Sequence, residues 1–523
     1  MAGALAALLS MGDNGKVEGS TSFARKPAAE PTTTTTNWAE TVTVESNKFR
    51  FPETVEDIQH LILTHDKIRC AGALHSCAPL IASEGIILSL TKLDKIIEID
   101  PDAMTARVQS GVPIHDLCEA LVPYGLAVGT LGTIDWQTIS GAVMTGTHGG
   151  ALTIPSLHDF VTSYTLVKPN NEIITVSREE DPRLFSAMAP SMGVFGVVVE
   201  LTIKCVPLQM LEAKFQTVSF DTLVDDVTFA DTMQNNKYAR IVVYPSINKA
   251  TLWTANPIDP ADIPAIIGKG AYDSTKDYMN FRNDTEKELL EKFLQLCDKG
   301  NFDEADQTLH EVLASQESRL RHYVGRYNHV LCKERNNGIP HADIEFNFDY
   351  NDHPKVLSTV KKYCNSNRVP YYNFEIRTTK VDDAMMSCCS GRDAMWIDFQ
   401  AKADVSKEFF GAMEEVLRPI GFRKHWAKGL ENTDPELIVS EFNRIDEFVA
   451  LMKEFDPNGK FRNKQGEEWF QTITQILEGH SSYSTPLVEK ETRKYKHMDS
   501  GATEHTLPLD LDETDHSNLS WDV

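Results

Sequence analysis

The sequence predicts a two-domain α+β protein, an N-terminal domain of alternating short strands and helices followed by a C-terminal sheet covered by helices. Three observations predict it. Short strand and helix patterns alternate from Asn37 to about residue 207, and glycines cluster between Gly129 and Gly150. Beyond about residue 283, amphipathic helices are followed by strands with period-two hydrophobicity.

Composition agrees with a globular enzyme. The 523 residues are 41% hydrophobic and 24% charged, with 51 basic against 76 acidic side chains and a formal net charge of −25. An acidic surface repels phosphate backbones, and no basic patch offsets it, so nucleic acid is not an expected partner. No uninterrupted apolar run reaches the ~20 residues of a spanning helix. The segment Met1 to Met11 is small and apolar but has no basic head, so a secretory signal is not expected. The 9 cysteines are odd in number and form no CxxC pair, which signals neither a zinc site nor a disulfide framework. A reducing intracellular compartment, the cytoplasm, is the expected location, with attachment to an organelle membrane left open.

Residues 1–36 end in Pro31 and five threonines and read as a disordered leader. In residues 37–207, Pro52 introduces an amphipathic helix over Thr54 to His65. Strands follow at Lys67 to Ala71, Ile86 to Leu90, Lys95 to Ile99 and Thr105 to Ser110. Pro113 opens a short helix through Val122, and Gly196 to Val206 is the strand that closes the domain. Residues 208–470 form the substrate domain, its C-terminal end packing back on the first. A helical insert is expected over about 272–338, where Asn283 and Glu286 have capping-box spacing for a helix to Cys297 and a second helix covers Glu304 to Tyr323. Ile344, Phe346 and Phe348 then alternate with Asp343, Glu345, Asn347 and Asp349, whose polar face reads as solvated. Two further strands cover Tyr372 to Thr378 and Ala394 to Ala401. From residue 471 the chain is an acidic, disordered tail.

Two motifs carry chemistry. In Arg69-Cys70-Ala71-Gly72-Ala73-Leu74-His75-Ser76 a strand ends in a glycine turn, exposing amides that can nest an anion and then an imidazole. That histidine can bond an electrophilic cofactor carbon, though an ordinary hydrogen-bonded loop histidine is the commoner outcome for such a pattern. Thr138 to Gly150 combines hydroxyls and glycines that let the backbone approach a flat or phosphorylated ligand, without GxGxxG or Walker spacing.

Taken together, GxxHS, then SGAVMTGTHG, then GVFGVVVELTIK resembles the flavoprotein superfamily typified by vanillyl-alcohol oxidase. TGTHG with the later His425-Trp426-Ala427-Lys428 resembles its sugar-lactone and polyol oxidase branch, which includes gulonolactone, arabinonolactone and alditol oxidases. The resemblance implies a PCMH-type FAD-binding domain and FAD joined covalently through His75. It implies Arg69, Gly72, Ala73, Leu74 and Ser76 around the pyrophosphate. Ser140, Gly141, Thr145, Gly146, Thr147 and Gly149 would line the flavin and ribityl chain, and Gly196 and Val197 would close over the cofactor. Thr130 takes the place of a second, cysteinyl attachment in some relatives, so one bond is expected, with Cys77 and Cys118 as buried thiols. Gly132 aligns where a larger residue shields the flavin from oxygen in some relatives, and Thr133 aligns with a hydroxyl that touches substrate.

In Phe374-Glu375-Ile376-Arg377-Thr378 the two charged side chains are two apart and share one strand face. A solvent-facing ion pair is one outcome; the resemblance instead places this pair, and Lys428, against the substrate. Removing hydride from a hydroxyl-bearing carbon needs a base for the O–H proton and a cation for the alkoxide. Arg377 and Lys428 suit the cation, and Glu375 or His425 the base. No metal site is expected. The expected activity is oxidation of a sugar lactone or polyol, with O2 reduced to H2O2. An oxidase of an aromatic or polyketide alcohol and a dehydrogenase with another acceptor are the alternatives.

Overall fold

Alternating burial along extended segments organises the chain into sheets, seen in a computed structural model that describes residues 34–276, 283–332, 339–430 and 432–479. Strand β1 (Thr34–Thr36) pairs with β2 (Thr43–Glu45). A parallel three-stranded sheet has the order β3 (Phe49–Arg50), β5 (Ile86–Ser89), β4 (Ile68–Ala71). Between β3 and β4, helix α1 (Val55–Thr64) starts at a capping box in which Thr54 accepts the Asp57 amide, and it buries Ile58 and Ile62.

The second sheet of this domain is antiparallel. It contains β6 (Ile96–Asp100), β7 (Thr105–Gln109), β8 (Leu126–Val128), β9 (Val161–Val167), β10 (Ile173–Ser177) and β11 (Val197–Pro207). Their order is β10-β9-β11-β7-β6, with β8 also on β11. Helices α2 (Ile114–Leu121) and α3 (Ile139–Thr145) pack into its core through Leu117, Leu121, Ile139 and Val143.

The C-terminal domain is built on nine strands: β12 (Met210–Ser219), β13 (Tyr238–Tyr244), β14 (Lys249–Ile258), β15 (Tyr272–Ser274), β16 (His322–Arg326), β17 (Ala342–Asp349), β18 (Phe374–Thr379), β19 (Ala394–Ala401) and β20 (Arg423–Lys424). They run in the order β15-β16-β12-β14-β13-β18-β19-β17-β20. Helices α4 (Asp284–Asp298) and α5 (Phe302–Leu320) pair with each other, and α5 touches β12. One sheet face sends Ile344, Phe346, Ile376, Ile397 and Phe399 into a core with α6 (His353–Ser366) and α7 (Ala403–Leu417). The other face points towards the N-terminal domain.

The chain then returns. In α8 (Ile445–Phe455), Phe448 meets Phe195 edge-on at 5.3 Å, and it lies 6.0 Å from Phe470 of α9 (Lys464–Leu477). The Lys460 ammonium donates to the carbonyls of Ile62 and His65, at the end of α1, at 2.7 Å each.

Several expectations from sequence need correction. The last three leader threonines form β1, because they pair in register with Thr43–Glu45. Residues assigned to the tail continue α9 to Leu477, whose buried Ile473 continues the apolar face of the helix. The insert is not all helical: β15 and β16 belong to the sheet. Helix α5 stops at Leu320 and Tyr323 lies in β16, paired with Ala213. The leader before residue 34, the tail beyond residue 479 and parts of the insert lie outside the described residues. Among the described residues no helix is long and apolar enough to cross a membrane.

Candidate active site

A long cavity lies between the two glycine motifs of the first domain and the inner face of the nine-stranded sheet. Its first wall comes from the turn after β4. Gly72, Ala73, Leu74, His75 and Ser76 all line the cavity. Glycine is required at position 72, because a Cβ there would stand 2.2 Å from Thr138 Oγ1. Leu74 takes the left-handed conformation at φ 59°, which turns the chain so that His75 follows it into the cavity. The His75 imidazole is partly buried, and burial depresses its pKa, so it is neutral and nucleophilic.

This turn is fixed from the opposite domain. Ser76 Oγ donates to the Ala427 carbonyl at 3.0 Å, and the Cys77 amide donates to the same oxygen at 2.7 Å. The His425–Lys428 segment is thereby held against the His75 turn. It is neither helix nor strand: the Lys428 amide donates to the His425 carbonyl at 3.1 Å, closing a turn directly after β20.

The second wall includes Ser140, Gly141 and Thr145 of α3, then Thr147 and His148, together with Gly132 and Thr133. Four cofactor residues expected from sequence do not line the cavity. Gly146 caps α3 at φ 82°. Gly149 gives room to Thr130, whose Oγ1 would be 2.6 Å from an added Cβ. Gly196, at φ 151°, lies against the Val167 carbonyl, and Val197 is fully buried at the start of β11. All four serve packing or chain direction. Arg69 lines the cavity, but its guanidinium donates to the carbonyls of Leu80, Met192 and Phe461, so it ties three segments together instead of facing an anion freely. Cys77 and Cys118 are buried thiols, at 2% and 4% exposure.

The floor is the sheet. Glu375, Arg377, His425 and Lys428 all line it. Sequence reasoning missed Asp398 and His148, and it preferred a solvated face for Asp343 and Glu345 over a polar wall of the site. The polar face of β17 is buried, not solvated: Asp343 is 6% exposed, Glu345 1% and Asn347 0%. The unbroken run of carboxylates and amides opposite three large apolar residues was the available signal.

These charges form a connected set. Arg377 donates to Glu345 Oε1 at 2.6 Å and lies 3.3 Å from Glu375, which also pairs with Arg240 at 3.2 Å. Lys428 donates to Asp343 at 2.8 Å and to Asp398 at 3.1 Å. His341 stands 3.1 Å from the other Asp343 oxygen. His148 stacks on Trp396 at 3.9 Å and approaches Glu345 at 3.2 Å. Burial opposes the ionised form of Glu345, but Arg377 and His148 overcome it and hold this carboxyl well below its usual range. Lys428 likewise overcomes the burial of Asp343 and lowers its pKa. Asp398 goes the other way. Burial, reinforced by Asp343 and Glu345, outweighs Lys428 and lifts it well above the carboxylate range. Asp343, Glu345 and Glu375 thus face Lys428, Arg377 and Arg240, and Asp398 is the acid whose protonated form burial favours.

His425 is a correction to the sequence reading. Burial pushes its pKa down to about 3, and its Nδ1 accepts the Ala427 amide at 3.1 Å. The ring proton therefore sits on Nε2, which makes His425 a hydrogen-bond donor and a poor base. His148, Glu345 and His425 also have ligand atoms within 4.8 Å of one another. Arg377 donates to Glu345 Oε1, while Oε2 has no hydrogen-bond partner among the described residues.

Residues 47–177 match the family model of the FAD-binding domain, and this domain supplies the walls facing the charged sheet. The residues fit that group: a glycine turn with no room for a side chain, a neutral imidazole, and hydroxyls along α3. The class is a two-domain FAD-dependent oxidoreductase acting on CH–OH groups. A second model, D-arabinono-1,4-lactone oxidase, matches residues 201–473, just over half of the chain, and the protein belongs to that family. It is 24% identical over 462 residues to L-gulonolactone oxidase of Scyliorhinus torazame, covering 83% of this chain and 97% of the relative. It is 30% identical over 230 residues to the Putative D-arabinono-1,4-lactone oxidase of Neurospora crassa, covering 43% of this chain and 41% of that one. Cholesterol oxidase from B. sterolicum has a similar fold, with TM-score 0.70 and 18% identity over 84% of this chain and 96% of that structure.

The charge balance is testable. Asp343→Asn removes one of the two carboxyls on Lys428 and should cost about 1–3 kcal/mol in chemical denaturation, since Asp398 at 3.1 Å takes over as the ionised partner. Asp398→Asn should cost less than about 1 kcal/mol, because an amide replaces a neutral acid. Asp398 takes up a proton on folding. Its contribution is therefore complete below about pH 4, where the unfolded carboxyl is also protonated, and declines as pH rises towards its raised folded value. Asp398→Asn should remove that slope from stability measured against pH.

Proposed function

We propose that this protein removes hydride from a CH–OH carbon of a sugar lactone and passes the electrons to O2, giving H2O2, with FAD held covalently through His75. The observation that carries the reading is the opposition, across one cavity, of the His75 turn and the balanced charges of β17, β18 and β19. Bound FAD supplies the hydride acceptor. Around it, the chain positions a hydroxylated ligand. Glu375 takes the hydroxyl proton, since the lone pair of His425 Nδ1 already accepts the Ala427 amide. Arg377 and Lys428 stabilise the developing alkoxide charge. Both stay charged, since the flanking carboxylates outweigh burial. Asp343 and Glu345 hold these cations in place, and the buried setting strengthens each interaction relative to water.

His75 is suited to flavin attachment by its neutral state and its place on the turn. Gly132 lines the cavity, and an added Cβ would meet Thr147 Cγ2 at 3.4 Å, an ordinary contact. The position therefore has room for a methyl group that this chain does not carry, which favours access of O2.

Anaerobic mixing with aldono-1,4-lactones should bleach the flavin absorbance of the holoenzyme; a spectrum unchanged by any lactone or polyol would overturn the reading. Under denaturing mass spectrometry the parent protein should carry the added mass of FAD, and His75→Ala should not. Parent protein without that mass rules out the covalent bond. In Gly132→Ala, lactone should still reduce the flavin, but reoxidation by air should slow by about tenfold, equivalent to about 1.4 kcal/mol in barrier height. Equal reoxidation rates would show that oxygen arrives by another route.

A further inference from the structure

The cavity floor is much longer than a lactone. Residues from six adjacent strands line it, β17, β19, β18, β13, β14 and β12. Five inter-strand spacings of about 4.8 Å give a floor of about 24 Å. A six-carbon lactone spans about 7 Å, judged from carbon–carbon bonds near 1.5 Å. The groups that perform the proposed chemistry all lie on one half, over β17, β19 and β18. The flavin anchor lies at that end as well: His75 is 6.2 Å from Trp38, which meets His341 beside β17 at 5.0 Å.

The character of the floor changes at the boundary between β18 and β13. Pairing registers align Glu345, Asp398, Glu375, Val242 and Thr251 in one row across the sheet. The row begins with three acids and ends neutral. A parallel row aligns Arg377 with Trp396 on one side of the sheet, and Arg240 with Trp253 and Phe215 further along. The far half is therefore lined by Phe215, Val242, Tyr244, Thr251 and Trp253, with Gln316 of α5 closing the end. Tyr244 Oη donates to Gln316 Oε1 at 3.2 Å, so the helical hairpin forms the end wall of this compartment.

A polar atom is left over where the compartment begins. Asn373 is 6% exposed, lines the cavity, and its Oδ1 has no hydrogen-bond partner among the described residues. Gln400 Oε1 also lines the cavity without a partner among the described residues, but it lies on β19 opposite Asp343, in the half that holds the reacting groups. A buried amide oxygen without a donor is unfavourable, so Asn373 Oδ1 is poised for a donor brought by a ligand. Aromatic rings that can face the C–H surface of a sugar, with an amide oxygen that can accept from one of its hydroxyls, make a carbohydrate surface and not a purely apolar one.

We propose that this far compartment is a second subsite which binds a glycosyl unit attached to the reacting lactone, so that the preferred substrate is a glycosylated aldonolactone. The proposal rests on the lactone-oxidising reading above and deepens it. The near half holds the ring that loses hydride, and the far half holds a sugar that does not react. Binding of the remote ring supplies interaction energy that orients the reacting one.

The test uses holoenzyme and two probes, a free hexono-1,4-lactone and the 1,4-lactone of a disaccharide aldonic acid, with anaerobic flavin reduction as readout. The expected second-order rate constant is at least about tenfold higher for the glycosylated lactone. Val242→Phe, which fills the compartment, should return that ratio towards one, and reduction by the free lactone reports that the variant is folded. Equal rate constants in the parent, or a preference unaltered by Val242→Phe, overturns the second subsite while leaving lactone oxidation intact. A lactone bearing an aryl or alkyl group that outperforms the glycosylated one also overturns it. If neither lactone reduces the flavin, the oxidation reading fails and the subsite falls with it.

Discussion

Strand β17 imposes the constraint on which the rest of the molecule depends. Its odd and even positions cannot exchange faces without moving Phe346 and Phe348 into the cavity and Asp343 and Glu345 into the apolar core. Once the phenylalanines pack under α6 and α7, two carboxylates must be buried on the other side. Buried carboxylates persist only with compensation, and β18 and the turn after β20 provide it as Arg377 and Lys428. The charged set required to make this sheet tolerable is the same set that can stabilise an alkoxide. Folding and chemistry thus place one demand on these residues.

The same economy governs the joint between domains. A single carbonyl, that of Ala427, receives both Ser76 Oγ and the Cys77 amide, and this couples the turn that carries His75 to the turn that carries Lys428. Arg69 adds a second tie by reaching carbonyls of the Met192 segment and of Phe461 in the returning C-terminal chain. The distance between the His75 turn and the Lys428 turn is therefore set by hydrogen bonds to main-chain carbonyls, which tolerate little drift. An enzyme that must hold a ring between two domains gains from such a rigid reference.

Much of this was legible in the residues. The helix at Val55–Thr64 follows from Thr54 and Asp57, and the helix after Asn283 from its capping box, because caps act within a few residues. Glu375 and Arg377 share a face by strand geometry alone. Other features depended on distant partners. The threonines before Asn37 become a strand through pairing with Thr43–Glu45, and Tyr323 is strand, not helix, through pairing with Ala213. His425 looked like a base, yet its protonation is decided by burial and by the Ala427 amide. Gly146, Gly149, Gly196 and Val197 sit in the motif region but turn outward to packing, which spacing cannot reveal.

The sequence by itself determined the family resemblance, which brings the cofactor class with it, and the glycine turn and the strand faces, because the last two arise from contacts within a few residues or from a fixed two-residue period. Only the tertiary structure decided which polar face would be buried, how four acids and three cations would share one unspent proton, and how far the cavity would run past the reacting groups. Those depend on strands separated by long stretches of chain, whose order β12-β14-β13-β18-β19-β17 is set by packing across the whole sheet.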